Sequence, residues 1–481
     1  MSIFGGVSLL QSILVTRVRC IRHVCSIIAV LTIAMCGCKS YSPQPLDLDA
    51  HRSRLAKRLS QPEPLLEFAA RLADRTDRDP ARFDIADGMT LAEGEVVALF
   101  YNPDLRLARL GAGVTLATAE HVGRWQDPEF GFDGAEVLSP EGPFEYGLTL
   151  SLTIPVSGRL ALEAARARAE HQVELRRIVD QEWTVRSRVR LAWAAWSAAQ
   201  ERAQLLEDAS AKAESLGRLV DTLEKTGTLR RVESRMMRTA VARMRADTER
   251  AVFEAERNRI ELFSLMGVHP RASVELIPAV AHVKLPEDQS LDRLIAANTS
   301  LAVHRAEHEA AERALRLEIR KQYPDLVLGG GYGYEDGDQL LLGIGIRVPI
   351  WNRNAQGIAE ARAQRELVRA RGEVALERLA GELAFAQSRC DSSAKQVRLF
   401  ETELIPAYQA QAGEIETLAS LGEVDVLLML ESIRAGLDVR EQLITLRLDF
   451  ARSRITLAHL LGTDMSRQPV PVRDGAQEPQ P

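Results

Sequence analysis

The stretch F-E-Y-G-L-T-L-S-L-T-I-P-V, residues 144–156, alternates strictly between two kinds of side chain. Phe144, Tyr146, Leu148, Leu150, Leu152 and Ile154 fall on one face, and Glu145, Gly147, Thr149, Ser151 and Thr153 on the other. A period of two over that length predicts a β-strand with one apolar and one polar face. At about ten to twelve residues it is long for a globular strand and suits a tilted bilayer crossing. From Ser157 the period becomes helical for roughly 65 residues, about 100 Å at 1.5 Å per residue. A membrane-length strand running into a very long helix is an unusual junction, and this chain makes it twice. The second copy is L-L-L-G-I-G-I-R-V-P-I at residues 340–350.

The remaining composition fits that reading. The chain has 481 residues, a formal net charge of −6, and only 5% aromatic residues. Abundant Ala, Leu, Arg and Glu suit long packed helices, and interspersed charges give no nucleic-acid signature. At the N-terminus, Arg17, Arg19, Arg22 and His23 precede an apolar run, residues 24–35, of signal-peptide length. Ala34-Met35-Cys36-Gly37-Cys38 then resembles a lipoprotein cleavage site, with Cys38 the better lipidation candidate because Gly37 precedes it. An uncleaved anchor is the alternative. With Cys38 acylated, Cys390 is the one other cysteine in the mature chain, so no internal disulfide is expected.

Residues 1–38 are thus the export signal, and 39–89 read as an extended tether with one short helix. A helix is predicted from Thr90, where T-L-A-E forms a capping box with Glu93, through Asn102-Pro103-Asp104-Leu105 to about Trp125. Pro128 opens a strand over residues 129–137, with Phe130 and Phe132 on one face. The long helix ends near Leu223, Thr226-Gly227-Thr228 makes a tight break, and a shorter helix ends at Met266-Gly267. The second half repeats these landmarks at near-constant spacing. Asn298 answers Asn102, Pro324 answers Pro128, Pro349 answers Pro155, Gly422 answers Gly227, and Leu461-Gly462 answers Met266-Gly267. This is a duplication. Residues 90–285 form the first repeat, 286–466 the second, and 467–481 a Pro/Gln-rich disordered tail. Coiled-coil seams run through Leu206, Ala209, Ala213, Leu216, Val220 and Leu223, and through Ile444, Leu448, Ala451, Ile455 and Ala458.

One chain therefore supplies four membrane-type strands, whereas a closed barrel needs at least about eight, since open edges do not persist in lipid. Several protomers must share one barrel; two would close it without a water-filled lumen, and three give a channel. The fold class read from the sequence is a membrane α+β protein, mainly α.

The ordered set of T-L-A-E and N-P-D-L, the junctions at Pro155 and Pro349, the break glycines Gly227 and Gly422, and the endings at Gly267 and Gly462 resembles the TolC-like outer-membrane efflux channels over about residues 90–465. The resemblance implies a trimeric twelve-stranded barrel in the outer membrane, continuous with a helical periplasmic barrel. It also implies a periplasmic adaptor docked at the helical tip, an inner-membrane transporter behind it, and a lipid-anchored N-terminus in one branch. The function implied is a passive efflux duct with no enzymatic step and no cofactor. The alternative from another class is a periplasmic coiled-coil scaffold or adaptor lipoprotein without a pore.

Candidate sites follow from that frame. The breaks Thr226, Gly227, Thr228 and Leu229, and Leu421, Gly422, Glu423 and Val424, are expected adaptor-contact tips; as bare residues they are also the turns any helical hairpin needs. The family often carries an acidic ring just past the tips. Glu233 occupies that position in the first repeat, whereas the second has Leu428, flanked by Asp425 and Glu431. Alternation assigns Leu326, Leu328, Tyr332, Tyr334, Leu340, Leu342, Ile344 and Ile346 to lipid, and Gly329, Gly331, Gly333, Gly343, Gly345 and Arg347 to the lumen. The glycines at 329–333 are followed by a strand, which excludes a dinucleotide fingerprint. His304-Arg305-Ala306-Glu307-His308 matches the inverted zinc-protease pattern H-x-x-E-H, but Ala108 and Ala112 stand at the matching places and no third ligand is evident. A solvated helix face is the better reading.

Overall fold

A computed structural model describes residues 41–60, 63–76, 83–85, 87–136, 144–279, 283–335, 337–346, 348–420 and 425–462. The chain divides into two units, Met1–Arg54 and Leu55–Pro481. The export signal, Cys38, the tip at 421–424, Arg347 and the C-terminal tail lie outside the described residues.

The elements in chain order are α1 (Leu48–Lys57), α2 (Glu63–Thr76), α3 (Leu91–Tyr101), α4 (Pro103–His121), β1 (Glu129–Ala135), β2 (Glu145–Ile154), α5 (Arg159–Lys225) and α6 (Arg231–Met266). The second repeat gives α7 (Leu291–Ala297), α8 (Thr299–Arg320), β3 (Leu326–Tyr334), β4 (Asp338–Ile346), α9 (Ala355–Leu399), α10 (Ile405–Ser420) and α11 (Val426–Leu461). At 67 residues, α5 is about 100 Å long.

Residues 39–89 are more structured than the expected tether with one short helix. Two helices form, and α2 places Leu65, Phe68 and Leu72 in the main core. Those three recur at helical spacing, and the core they enter contains Val97, Leu105, Trp193, Trp196, Phe263 and Met266. Trp193 is fully buried; its Nε1 donates to the Ile277 carbonyl at 3.2 Å, and a Cβ on Gly94 would sit 2.7 Å from its ring.

The helix from Thr90 starts as the capping box predicts, with the Thr90 N–H donating to Glu93 Oε2 at 2.8 Å. It does not run on unbroken. Asn102 ends α3 and caps α4, because the residue before a proline is pushed out of the helical region. Asn298 also ends α7 and caps α8, although Thr299 rather than a proline follows it. Each asparagine accepts from the N–H three residues on, at 3.1 Å, and donates to a carbonyl at the end of its own repeat: Asn102 to Leu265 at 2.7 Å, Asn298 to Leu460 at 2.9 Å. Beside each bond sits a positive-φ glycine, Gly267 at 72° and Gly462 at 67°. Each repeat is thereby locked end to start by the same asparagine–glycine pair.

The second long helix also differs from the unbroken element expected. A π-helical turn, Phe400–Leu404, separates α9 from α10. Pro406 lacks the amide hydrogen and its ring would strike the carbonyl four residues back, so the helix widens there. The first repeat has Ala211 at the matching position, and α5 runs straight through.

α5 is the central element, packing against α4, α6, α8 and α11, while α9 packs against α8 and α11. This gives an order α4–α5–α8–α9 at the strand end and α6–α5–α11–α10 at the hairpin end. Of the expected seam residues, Leu206, Ala213, Val220, Ile444, Ala451, Ile455 and Ala458 are buried, and Ala209, Leu216, Leu223 and Leu448 are partly buried.

Near the end of α11, His459 stacks on Trp183 with ring centroids 6.4 Å apart, and Trp183 Nε1 donates to its carbonyl at 3.0 Å. Burial pushes the His459 imidazole below its ordinary value, against the opposing pull of Asp180 and Glu382. With an unfolded value of about 6.5, the unfolded chain binds the extra proton first as pH falls. Stability is therefore full above about pH 6.5 and declines below it. The thermal midpoint should fall between about pH 7.5 and 5.5, and His459→Phe, which keeps a ring there, should flatten that part of the profile.

Candidate functional site

The four strands form one antiparallel sheet in the order β1-β2-β3-β4, so β1 and β4 are its open edges. Cross-strand register sorts every position onto one of two faces. Phe130 pairs with Leu150, Phe132 with Leu148, Leu152 with Leu328, and Ile154 with Leu326. Leu328 pairs with Ile344, and Leu326 with Ile346. That face is apolar except for Asp338 at its turn end, and it is uncovered in the protomer: Leu340 is 76% exposed, Leu342 83% and Ile344 75%. The opposite face pairs Gly131 with Thr149, Ser151 with Gly329, Thr153 with Val327, and Gly329 with Gly343. It is mostly small or polar, with Val327 and Leu341 the apolar exceptions. Water does not leave so continuous an apolar sheet face bare, whereas lipid favours it.

Aromatic residues gather at both ends of the strands. Phe144, Tyr146, Tyr332 and Tyr334 sit at the turn end, where Tyr146 stacks on Tyr334 with centroids 6.3 Å apart. Trp125, Tyr323 and Trp351 are exposed at the helix end. Two aromatic girdles flanking an apolar band are the pattern of a strand region that meets two membrane interfaces.

The junction beneath the sheet is built the same way in both repeats. The Val156 N–H donates to the Ile154 carbonyl across Pro155, and the Ile350 N–H to the Val348 carbonyl across Pro349, each at 2.9 Å. Asp325 then ties the repeats together, pairing with Arg159 Nε at 2.9 Å and accepting from Ser157 Oγ at 3.4 Å.

At the far end, Thr226, Gly227, Thr228 and Leu229 close the α5–α6 hairpin. Gly227 takes a φ of 79°, and the Thr228 N–H donates to the Leu223 carbonyl at 3.0 Å. The turn is sealed by Val220, Met237 and Ala240 with Leu430 from α11. Glu233 is half-buried, and its Oε2 accepts from the Arg230 N–H at 3.1 Å, capping α6. Asp425 caps α11, accepting from the N–H groups of Leu427 and Leu428 at 2.9 and 3.1 Å. Glu431 is exposed on the first turns of α11. Two of the three acidic candidates are therefore engaged in holding helix starts, where the helix dipole favours a carboxylate. On the hairpin, Arg238 holds the Asp221 carboxyl below its ordinary value, and Arg245 does the same for Glu214.

His304 and Glu307 bond to each other at 3.2 Å, and Glu307 also takes Arg177. No group of three or more metal-ligating side chains gathers among the described residues.

Residues 290–463 match the family model described as outer membrane efflux protein. The chain superposes on the Campylobacter jejuni CmeC outer membrane channel with a TM-score of 0.67, at 15% identity, over 80% of this chain and 88% of that one. This is the fold of the outer-membrane efflux channels. The open-state Neisseria gonorrhoeae MtrE outer membrane channel matches it at TM-score 0.67 and 15% identity, covering 79% of this chain and 90% of that one. CusC matches at TM-score 0.67 and 18% identity, covering 77% and 92%. A search of curated protein sequences finds no match. In the efflux-channel fold the α5–α6 hairpin is the end of the helices far from the sheet. Residues missed from sequence are the two asparagine–glycine locks. Their signal was present, since Asn102 with Gly267 and Asn298 with Gly462 recur at matched spacing, but spacing alone does not show that they touch.

Proposed function

We propose that this chain is the outer-membrane duct of a tripartite efflux system, passive in itself. Three copies share one barrel of twelve strands, four from each. The observation that carries this reading is the open four-stranded sheet, apolar on one face and mostly small or polar on the other, with two free edges. A closed barrel is what removes such edges in lipid. Matching helix edges support it. α4 exposes Leu107, Leu110 and Val114, and α9 exposes Ala363, Leu367, Ala370 and Val374, both at helical three-and-four spacing. These two helices flank the strand-end layer, so closing the ring would bring one stripe onto the other.

The remaining assignments rest on the same reading. The tips at 226–229 and 421–424 meet a periplasmic adaptor, Glu233, Asp425 and Glu431 lie near the periplasmic constriction, and Cys38 carries the lipid anchor. Mass measurement in detergent combined with planar-bilayer recording tests the duct. Trimers giving stable single-channel steps are expected. A folded monomer, or well-folded trimers with no conductance, would favour the scaffold instead.

A further inference from the structure

The two hairpins occupy equivalent places in the repeats but carry opposite charge. Residues 212–245 hold nine Lys and Arg against four Asp and Glu; the matching residues 407–440 hold two against six. The net charges are +5 and −4. Duplication alone would have left them alike.

The excess charge lies on faces that the protomer leaves open. In α6 the side toward the core buries Ser234, Met237, Ala240, Met244, Ala251 and Ala255. The opposite side bears Arg235, Arg243 and Arg250; the Arg243 and Arg250 side chains are 80% and 76% exposed, and both reach Asp247 of the same helix. Arg235 has no ion pair among the described residues. α10 contains no Lys or Arg, and turns Tyr408, Ala412 and Ile415 inward. Its outer side carries Glu414 with Pro406, Ala410 and Thr417, and Glu403 lies on the same side one π turn above. A Cβ on Gly413 would meet nothing, so this side faces open space.

Position and level both match. α6 and α10 are the two outer members of the order α6–α5–α11–α10, so copies closing into a ring bring α6 of one beside α10 of the next. Glu414 lies eight residues before Gly422, and Arg235 eight residues after Gly227. Glu403 falls between the levels of Arg243 and Arg250, within about 6 Å of each at 1.5 Å per residue. Small residues on α10 allow the helices to approach.

We infer that the basic outer face of α6 docks on the acidic outer face of α10 in a second copy, Arg235 facing Glu414 and Glu403 facing Arg243 and Arg250. This ionic seam binds the hairpin end of the ring and weakens with salt. It rests on the ring proposed above, but the sheet edges and the α4 and α9 stripes can hold that ring without it.

Full-length protein in detergent tests the seam, with mass measured first. A monomeric wild type would overturn the ring and the seam together. In a trimeric wild type, Arg235→Cys with Glu414→Cys should cross-link between copies under mild oxidation, and neither single variant should. Arg235→Glu and Glu414→Arg should each lower, at least threefold, the salt concentration at which chymotrypsin, whose cleavage sites neither substitution changes, cleaves the hairpin. The double charge swap should restore it to within twofold. Trimers that do not cross-link, or reversals that leave the salt profile unchanged, would overturn the seam and leave the ring standing.

Discussion

Alanine at Gly462 should cost about 3 kcal/mol or more and remove most of the folded protein, and alanine at Gly267 should do the same. Two costs add. The backbone there has a φ of 67°, a region that charges an L side chain about 1–2 kcal/mol. The new methyl would also overlap main chain, since a Cβ at Gly462 would lie 2.0 Å from the Ala297 carbonyl oxygen. At Gly267 the corresponding oxygen belongs to Tyr101, at 2.2 Å. Main chain cannot rotate away as a side chain would, and those carbonyls precede the asparagines that tie each repeat. Gly436→Ala on α11 serves as the control, because a Cβ there meets nothing and the position lies on neither proposed contact face. Thermal unfolding in detergent reads the difference. A midpoint for Gly462→Ala within a degree or two of wild type would refute the close approach.

Leu150→Arg should cost roughly 2–4 kcal/mol if the residue sits near the bilayer midplane. Leu150 lies on central strand β2, between Phe130 and Gly330 on the apolar face, and is 54% exposed. Its neighbour Ser151 points to the other face, paired with Glu129 and Gly329. Ser151→Arg therefore places the same charge at the same level on the face that the proposed duct turns to its lumen, and should cost little. Resistance of the trimer to heating in detergent separates the two. Equal losses from both variants, or none from Leu150→Arg, would sink the face assignment.

Much of this architecture was legible from periodicity. The strict alternation in residues 144–156 is β2, and the switch after Ser157 is the start of α5, because strand and helix periods are local properties of the chain. The break at Gly227 and the end at Gly267 were equally plain, each a glycine where the helical pattern stops, and both take a positive φ. What escaped depends on neighbours distant in sequence. Nothing local in Gly94 announces that Trp193 lies across it, and nothing local in α2 says that Leu65 and Phe68 complete the core. Pro406 gave a local signal for the π turn, but whether a proline kinks, breaks or widens a helix is decided by its packing. The site was legible in part. Asp425 stands before an apolar run as an N-cap should, and the charge inversion between hairpins was countable, yet only the helix order shows which charged faces are free to meet.

The widened turn at Phe400–Leu404 makes the two hairpins mechanically unequal. A π turn accommodates an extra residue without adding a full turn, so side chains below it are rotated relative to those above, and its hydrogen bonds are held less tightly. The second arm therefore has a fulcrum partway down, while the first, continuous in α5 to Lys225, is a stiff strut. A load applied at the ends of both would be taken up as bending at Pro406. The direction of that bending is set by where one proline was placed in one of two otherwise matching helices.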